Sequence, residues 1–418
     1  MSVDVAVVGA GIGGAVLGLA LGRRGWRVAI VERESAPLPL PRPEVLWGAT
    51  VSALEAFGMA GAISAQASVA LDGIDIGAPS GPLFSITSHD LAAAKVRGFS
   101  TDPALTRALL LEAALATGCV EVHRGVKIDD LLRDSKRAVG VAGKRRDESF
   151  SIGARLVVGD DGVHSVVRTQ LGIPLAFSSF PVDFITATIR WPEGLPPRKV
   201  HVRVDPAAFR AGLPAAGFFP RPRGEGVLLV PLSSERAESL FAGPDDVFWS
   251  SLEELTQRST FLSAQLQFPR DFSRVRRPFG HAPRYVDDGA AILGDAAHPM
   301  TPAGGQGANA AIWDALALAD VADSALRAGD PTRETLLAYE RIRHPINGRS
   351  VAISARAARI FRLAGHLPLA TVLPPLARLA NRLDWPKRRL IRGFATTFVT
   401  PPRAGPPRPT RCRIGAPA

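Results

Sequence analysis

Cysteine is nearly absent: Cys119 and Cys412 are the only two in 418 residues. They allow no disulfide framework, and without a C-x-x-C spacing they suggest no zinc site. Such a chain suits a reducing compartment, so a cytoplasmic protein is expected. Long apolar runs are missing too. No charge-free, apolar run of about 18 residues occurs outside the glycine-rich start, and no transmembrane helix is expected. The opening MSVDVAVVGAGIGG lacks a basic leader and a small-residue cleavage site, so no signal peptide is expected. Acid is scarce at one end. From Arg341 to Ala418, sixteen Lys and Arg face a single acid, Asp384, while the residues before them carry a net charge of −4. The mildly acidic body argues against nucleic acid as a partner. With 46% hydrophobic and 21% charged residues, the chain has a globular composition and can bury a sizeable core.

What is present is punctuated by glycine and proline. Residues 3–8 are a valine-rich apolar run, read as a buried parallel strand. A glycine turn, a helix over 15–24 and a second strand over 27–31 complete a β-α-β unit. Pro39, Pro41 and Pro43 then force an extended loop. Helices are expected over 51–57 and 103–117, and strands over 120–126, 138–143 and 155–158. Between 177 and 274 the texture shifts to antiparallel strands, at 184–189, 200–204 and 227–230, with a helix at 245–256. A buried strand returns at 290–293, followed by a glycine loop and a long helix over 306–327. The end, 401–418, is rich in Pro and Arg and is expected to be disordered.

Three motifs follow buried strands. The first is Gly9-Ala10-Gly11-Ile12-Gly13-Gly14, with Glu32 closing the next strand. Gly9 permits a tight turn, Gly11 lets backbone approach a diphosphate, and Gly14 allows close helix–strand packing. The helix start then offers free N–H groups to the phosphates. An acid about 20 residues on accepts ribose hydroxyls, and Glu32 in place of a base favours an unphosphorylated ribose. The second motif is Gly159-Asp160-Asp161-Gly162, running to Arg168. The third is Gly294-Asp295-Ala296-Ala297-His298-Pro299, continuing as MTPAGGQGAN. An acid at a strand's end can hold polyol hydroxyls, and the glycines let backbone N–H groups approach a ligand. Each of these two, taken alone, reads equally as a strand-to-helix turn with a capping acid.

Taken together and in this order, the motifs resemble the flavin-dependent aromatic hydroxylases of the para-hydroxybenzoate hydroxylase type, over residues 3–340. The resemblance implies an α/β fold: a Rossmann-like FAD-binding domain with an inserted antiparallel-sheet substrate domain and a C-terminal helical tail. The FAD-binding domain would comprise 1–75, 98–175 and 275–340, the substrate domain 176–274 together with strands over 76–97, and the basic helical tail 341–418. The resemblance further implies FAD as cofactor, with Glu32 on the adenosine ribose and Asp295 on the ribityl chain. Asp161 would serve the fold and cofactor or NAD(P)H contacts. Arg107 and Arg42 would lie near the ribityl, flavin and phosphate groups. Further cofactor contacts fall on Gly9, Gly11, Ile12, Gly13, Gly14, Arg33, Val126, Gly162, Arg168, Gly294, Gly305, Gly307, Ala308 and Asn309. Pro299, Gly304 and Gly305 would wall the reacting face of the flavin.

The implied reaction is that of a monooxygenase. NADH or NADPH reduces FAD, dioxygen adds at the flavin C4a, and the hydroperoxide's distal oxygen passes to an aromatic or polyprenylated small molecule. No side chain stands out as a base; His201 and His281 are candidates, with ordinary strand or surface histidines as the plainer reading. Phe218 and Phe219 suit a pocket or the core equally. Three rivals share this architecture: a flavin-dependent halogenase, a prenyl-chain reductase, and a flavin-binding protein without turnover. The WxWxIP element of the first and the YxWxFP element of the second are missing.

The tail from 355 to 394 interleaves apolar residues with arginine, and Pro368, Pro374 and Pro375 are expected to break it into short helices. Such pieces suit an anionic membrane surface, or equally a helical cap on the FAD-binding domain.

Overall fold

The first strand, Ser2–Val8, takes the centre of a mainly parallel sheet because six of its seven residues are buried. In the computed structural model, which describes residues 2–37, 39, 41–78, 81–180, 182–204, 215–242, 246–256, 261–267, 270–276, 278–302, 305–364 and 369–400, this sheet runs Val120–Arg124, Val28–Glu32, Ser2–Val8, Glu148–Gly159, Ala290–Ile292, all parallel. Val286–Asp287 closes one edge antiparallel, and Val126–Asp134 with Arg137–Arg145 forms a meander on Glu148–Gly159. The strand order reverses direction between Ser2–Val8 and Glu148–Gly159. Doubly wound sheets bind ligands at such a crevice, outside the strands' carboxyl ends.

The helix Ile12–Gly22 buries ten of its eleven residues. It is apolar all round because it is enclosed on every side, between the sheet and the helices Pro103–Leu115 and Gln306–Ala328. The 401–418 stretch lies outside the described residues.

A second sheet has the order Ser273–Val275, Val182–Arg190, Glu225–Ser233, Ala215–Pro220, Lys199–Val204, Gly73–Ala78, Gly81–Ile86. The strands expected at 184–189, 200–204 and 227–230 are present in it. Two of the expected edges fall inside elements. Residue 75 lies within the strand Gly73–Ala78, and residue 341 within the helix Arg333–Ala364. Charge turns basic at 341, but burial does not end there: Arg343, Asn347, Ser350 and Ser354 are all buried. The stretch expected as strands over 76–97 also holds the helix Ser88–Ala93. It begins with a capping box in which Thr87 and Asp90 exchange side-chain and backbone hydrogen bonds.

The tail corrects a further expectation. Leu369–Asn381 stays helical through Pro374 and Pro375, both in its first two turns. A last helix, Asp384–Thr396, follows. The first packs on Gly81–Ile86 and the second on Ser88–Ala93. Asn381 accepts the Ser85 N–H at 3.0 Å, Lys387 reaches Asp90 at 3.2 Å, and Arg392 donates to the Ala94 carbonyl at 3.0 Å.

Candidate cofactor and substrate site

All three glycine motifs leave the carboxyl ends of adjacent parallel strands, so the sheet itself brings them together. The Asp160 N–H donates to the Val8 carbonyl at 2.8 Å, and the Leu293 N–H to the Gly159 carbonyl at 3.0 Å. Arg168 clamps the second motif to the third, donating to the carbonyls of Val163 at 3.0 Å and Ala296 at 2.9 Å. At Gly9, φ is +104° and a Cβ would stand 2.2 Å from the Asp160 carbonyl oxygen; at Gly14 it would stand 2.3 Å from that of Gly9. Only hydrogen fits either place. Gly11 is the N-cap of Ile12–Gly22 and offers no side-chain acceptor. The positive end of a buried helix thus opens on a cradle that larger residues would fill, which fits a dinucleotide's diphosphate.

Glu32 ends the next strand. Its two oxygens accept the N–H groups of Ala10 at 2.9 Å and Glu34 at 3.0 Å, tying the fingerprint to the following turn. Arg107, on Pro103–Leu115, is half-buried; burial pushes its pKa down and Glu32 opposes that, with Arg124, Arg42 and Glu44 in the same field. Glu32, Arg107 and Arg42 are therefore gathered in one neighbourhood. Arg42 lies 3.9 Å from the buried Glu44. Burial raises the Glu44 pKa, against Arg42 and a 2.8 Å hydrogen bond from Thr101. Arg33 is exposed and pairs with Glu34 at 3.1 Å. Val126 puts its side chain in the core; its neighbour Gly125 donates to the Glu34 carbonyl at 3.3 Å.

In the second motif the two aspartates part company. Asp161 caps the helix Val166–Gln170, accepting from Val166 at 2.7 Å and Val167 at 3.1 Å. Burial raises its pKa. Asp160 turns the other way, and its Oδ2 accepts the Gly14 N–H at 2.6 Å. Gly162, with φ +80°, makes the turn between strand and cap.

The third motif rests on a buried polar group that sequence reasoning did not find. Asp314, on Gln306–Ala328, accepts from Gly294 N–H at 3.2 Å, from Arg343 at 2.6 Å, from Asn347 at 2.9 Å and from His298. Burial alone would raise the Asp314 pKa. His298 and Arg343 outweigh it and hold the carboxyl below the usual carboxylate range. Asp295 sits in the turn Gly294–Ala296, and the Pro299 carbonyl accepts from Gly280 at 3.0 Å. Gly305 is the N-cap of Gln306–Ala328 in the left-handed region, φ +63°, without a side-chain cap. Gly307 and Ala308 lie in the first turn. Asn309 binds Trp47 N–H at 3.0 Å and the carbonyls of Val45 and Gly305 at 2.8 and 2.7 Å, locking the helix start to the strand Glu44–Trp47. Gly304 lies outside the described residues.

The second sheet has two unlike faces. Phe218, Ile185, Ala187, Leu228 and Val230 form a core with Phe248 and Leu252 of Asp246–Thr256. Phe219 points the opposite way by strand alternation, on the face of Thr186 and Leu229. That face carries Phe184 and Leu229 into a cluster with Trp47, Phe279, Met300 and Trp313. Met300 directly follows Pro299, so an apolar layer lies between the sheet and the third motif. The Thr186 hydroxyl there is buried without a hydrogen-bond partner. His201 is buried in a strand, 3.1 Å from the Pro196 carbonyl, and burial lowers its pKa. His281 is held by Tyr285 at 2.7 Å, and burial with His344 lowers its pKa to about 4. Arg221, unnoticed in the sequence, is buried just after the strand Ala215–Pro220 and donates to the Arg42 carbonyl at 3.0 Å. An open cleft of about 450 Å³, with Ser52, Lys95, Arg97 and Thr396 in its lining, includes none of the expected site residues.

Comparison with known proteins agrees with this geometry. The FAD binding domain family matches residues 2–354. Ubiquinone hydroxylase UbiL of Rhodospirillum rubrum is 30% identical over 408 residues, covering 91% of this chain and 88% of that one. The 6-methylpretetramide 4-monooxygenase of Streptomyces rimosus is 28% identical, covering 91% and 89%. Among solved structures, PqsL of P. aeruginosa in complex with 2-aminobenzoylacetate superposes with a TM-score of 0.73 at 26% identity, over 87% of this chain and 99% of that one. The chain belongs to the FAD-dependent monooxygenases of the aromatic hydroxylase family, and is an oxidoreductase.

Proposed function

We propose that the enzyme uses NADH or NADPH and dioxygen to oxygenate an aromatic or polyprenylated small molecule, one oxygen atom entering the substrate and the other leaving as water. FAD, when bound, supplies the two-electron chemistry that activates dioxygen. The backbone of Gly11, Ile12 and Gly13 would receive its diphosphate, with Gly9 and Gly14 allowing its close approach, Glu32 would hold its ribose, and Asp295 its ribityl chain. Arg107 and Arg42 would balance the charge of the phosphates. The observation that carries the reading is the uncapped start of Gln306–Ala328 at Gly305, beside the apolar layer of Phe184, Leu229 and Met300. A helix start stabilises negative charge on a reduced ring system, and an apolar wall binds a lipophilic ring while excluding water. Turnover under isotopically labelled dioxygen tests this: the product gains one labelled atom. A product labelled only from water would refute it.

We also infer a peripheral contact with an anionic lipid surface, which supports a lipophilic substrate. No helix among the described residues is long and apolar enough to cross a membrane. Yet Leu376, Leu379, Leu383, Trp385 and Leu390 are exposed on the last two helices and the link between them, Trp385 at 69%. Arg378, Arg382, Arg388, Arg389 and Arg392 interleave with them. Exposed apolar side chains interleaved with arginine are complementary to an anionic lipid surface. Wild type should float with phosphatidylglycerol-containing vesicles and not with neutral ones, and a Leu379→Ser/Trp385→Ser variant with neither. Equal behaviour of the two proteins rejects the contact.

A further inference from the structure

Asp160 is required by none of the glycine motifs, yet it lies where two of them meet. Its Oδ2 takes the Gly14 N–H at 2.6 Å. A Cβ on Gly11 would stand 2.6 Å from the same oxygen. Cβ atoms on Gly13 and Gly294 would stand 3.0 and 2.9 Å from Oδ1. The carboxyl group thus stands between the fingerprint and the third motif, beside the start of the helix Ile12–Gly22. It is there because Gly159 ends the central strand and Asp161 is committed to the next helix cap.

We propose that Asp160 is a cofactor ligand contributed from outside the fingerprint and the third motif, its carboxyl group donating a hydrogen bond to the diphosphate of FAD from between them. The proposal rests on FAD being the dinucleotide bound. Donation requires the protonated acid, and the surroundings favour that form. Burial raises the Asp160 pKa well above the usual range against the Gly14 hydrogen bond, and Asp295, Asp161 and Asp314 raise it further. An ionised carboxylate here would repel a diphosphate, whereas the neutral acid is a donor in a place where one is wanted.

A group with a raised pKa acts below that pKa and is lost as pH rises through it. FAD affinity should therefore fall with alkali, by about tenfold per pH unit once Asp160 ionises. The test is titration of the apoprotein with FAD, followed by flavin fluorescence, from pH 6 to pH 10, for wild type, Asp160→Asn and Asp160→Ala. Wild type should lose affinity with rising pH. Asp160→Asn, a permanent neutral donor, should bind at wild type's acid-side strength and show no such fall. Asp160→Ala should bind roughly tenfold more weakly at pH 6 and also show no fall. Thermal unfolding without FAD checks that each variant is folded; if Asp160→Ala is not, wild type and Asp160→Asn decide alone. A flat wild-type profile, or the same fall in folded Asp160→Asn, overturns the proposal. Failure of FAD to bind wild type at any pH would instead overturn the cofactor reading on which it rests.

Discussion

Asp314 and Arg343, both fully buried, meet at 2.6 Å across the helices Gln306–Ala328 and Arg333–Ala364. Arg343 also donates to the Phe398 carbonyl at 2.7 Å, so one guanidinium joins the third motif to the turn that follows Asp384–Thr396. Removing one partner of a buried pair leaves the other uncompensated and costs about 3–5 kcal/mol. Arg343→Met should therefore lower the denaturant midpoint sharply, and combining it with Asp314→Asn should recover part of the loss. Independent, additive losses in the double-mutant cycle would show that the pair does not act as a unit.

His281 makes stability sensitive to mild acid. Its pKa is lowered to about 4, chiefly by burial and then by His344. An unfolded histidine titrates near 6.5. Between these values the unfolded chain binds more protons, so stability falls as pH drops from about 6.5 to 4. Asp314, whose pKa is held low, contributes in the same direction only at more acid pH, below about 4. His281→Gln should flatten the fall between pH 6.5 and 4. Unfolding midpoints measured across that window check it; an unchanged slope would exclude His281 as the cause.

Glu32 is committed to the loop and, in the proposed reading, also holds a ribose. Because both its oxygens hold backbone N–H groups, Glu32→Gln should weaken FAD binding by about tenfold to a hundredfold, the range of one or two charge-assisted hydrogen bonds. Equilibrium titration of apoprotein measures this. An unaltered Kd would place Glu32 outside the cofactor site.

Thr186 is 2% exposed and its hydroxyl has no hydrogen-bond partner, on the sheet face that meets Met300. A buried unsatisfied hydroxyl costs roughly 1–3 kcal/mol. Thr186→Val should raise the unfolding midpoint. If the hydroxyl serves the substrate, the same variant raises KM and leaves kcat nearly unchanged. A lowered midpoint would contradict the burial argument.

Local chemistry made much of this legible. Turn glycines, valine-rich strands and the acid at Glu32 act over short separations, so the β-α-β unit and the three motifs could be read directly. Thr87 and Asp90 carried a readable helix start as well, in a stretch expected to hold only strands. Contacts between distant residues could not be read. Asp160 and Gly14 lie 146 residues apart, and an Asp-Asp pair does not say which acid caps a helix and which faces the fingerprint. Arg221 meets Arg42 across 179 residues. Asp314 and Arg343 sit in long helices where a charge usually marks the solvent side, and only packing turns them inward. The tail's basic composition hid the buried turns around Arg343 and Asn347 in the same way.

The most direct test is the absorption spectrum of the purified protein with FAD, followed by NADH or NADPH oxidation in air against a panel of phenols and quinols. A bound-flavin spectrum with oxidation stimulated by at least one of these substrates, and a hydroxylated product, is the predicted result. A protein that binds no flavin after incubation with FAD would contradict the account at its root.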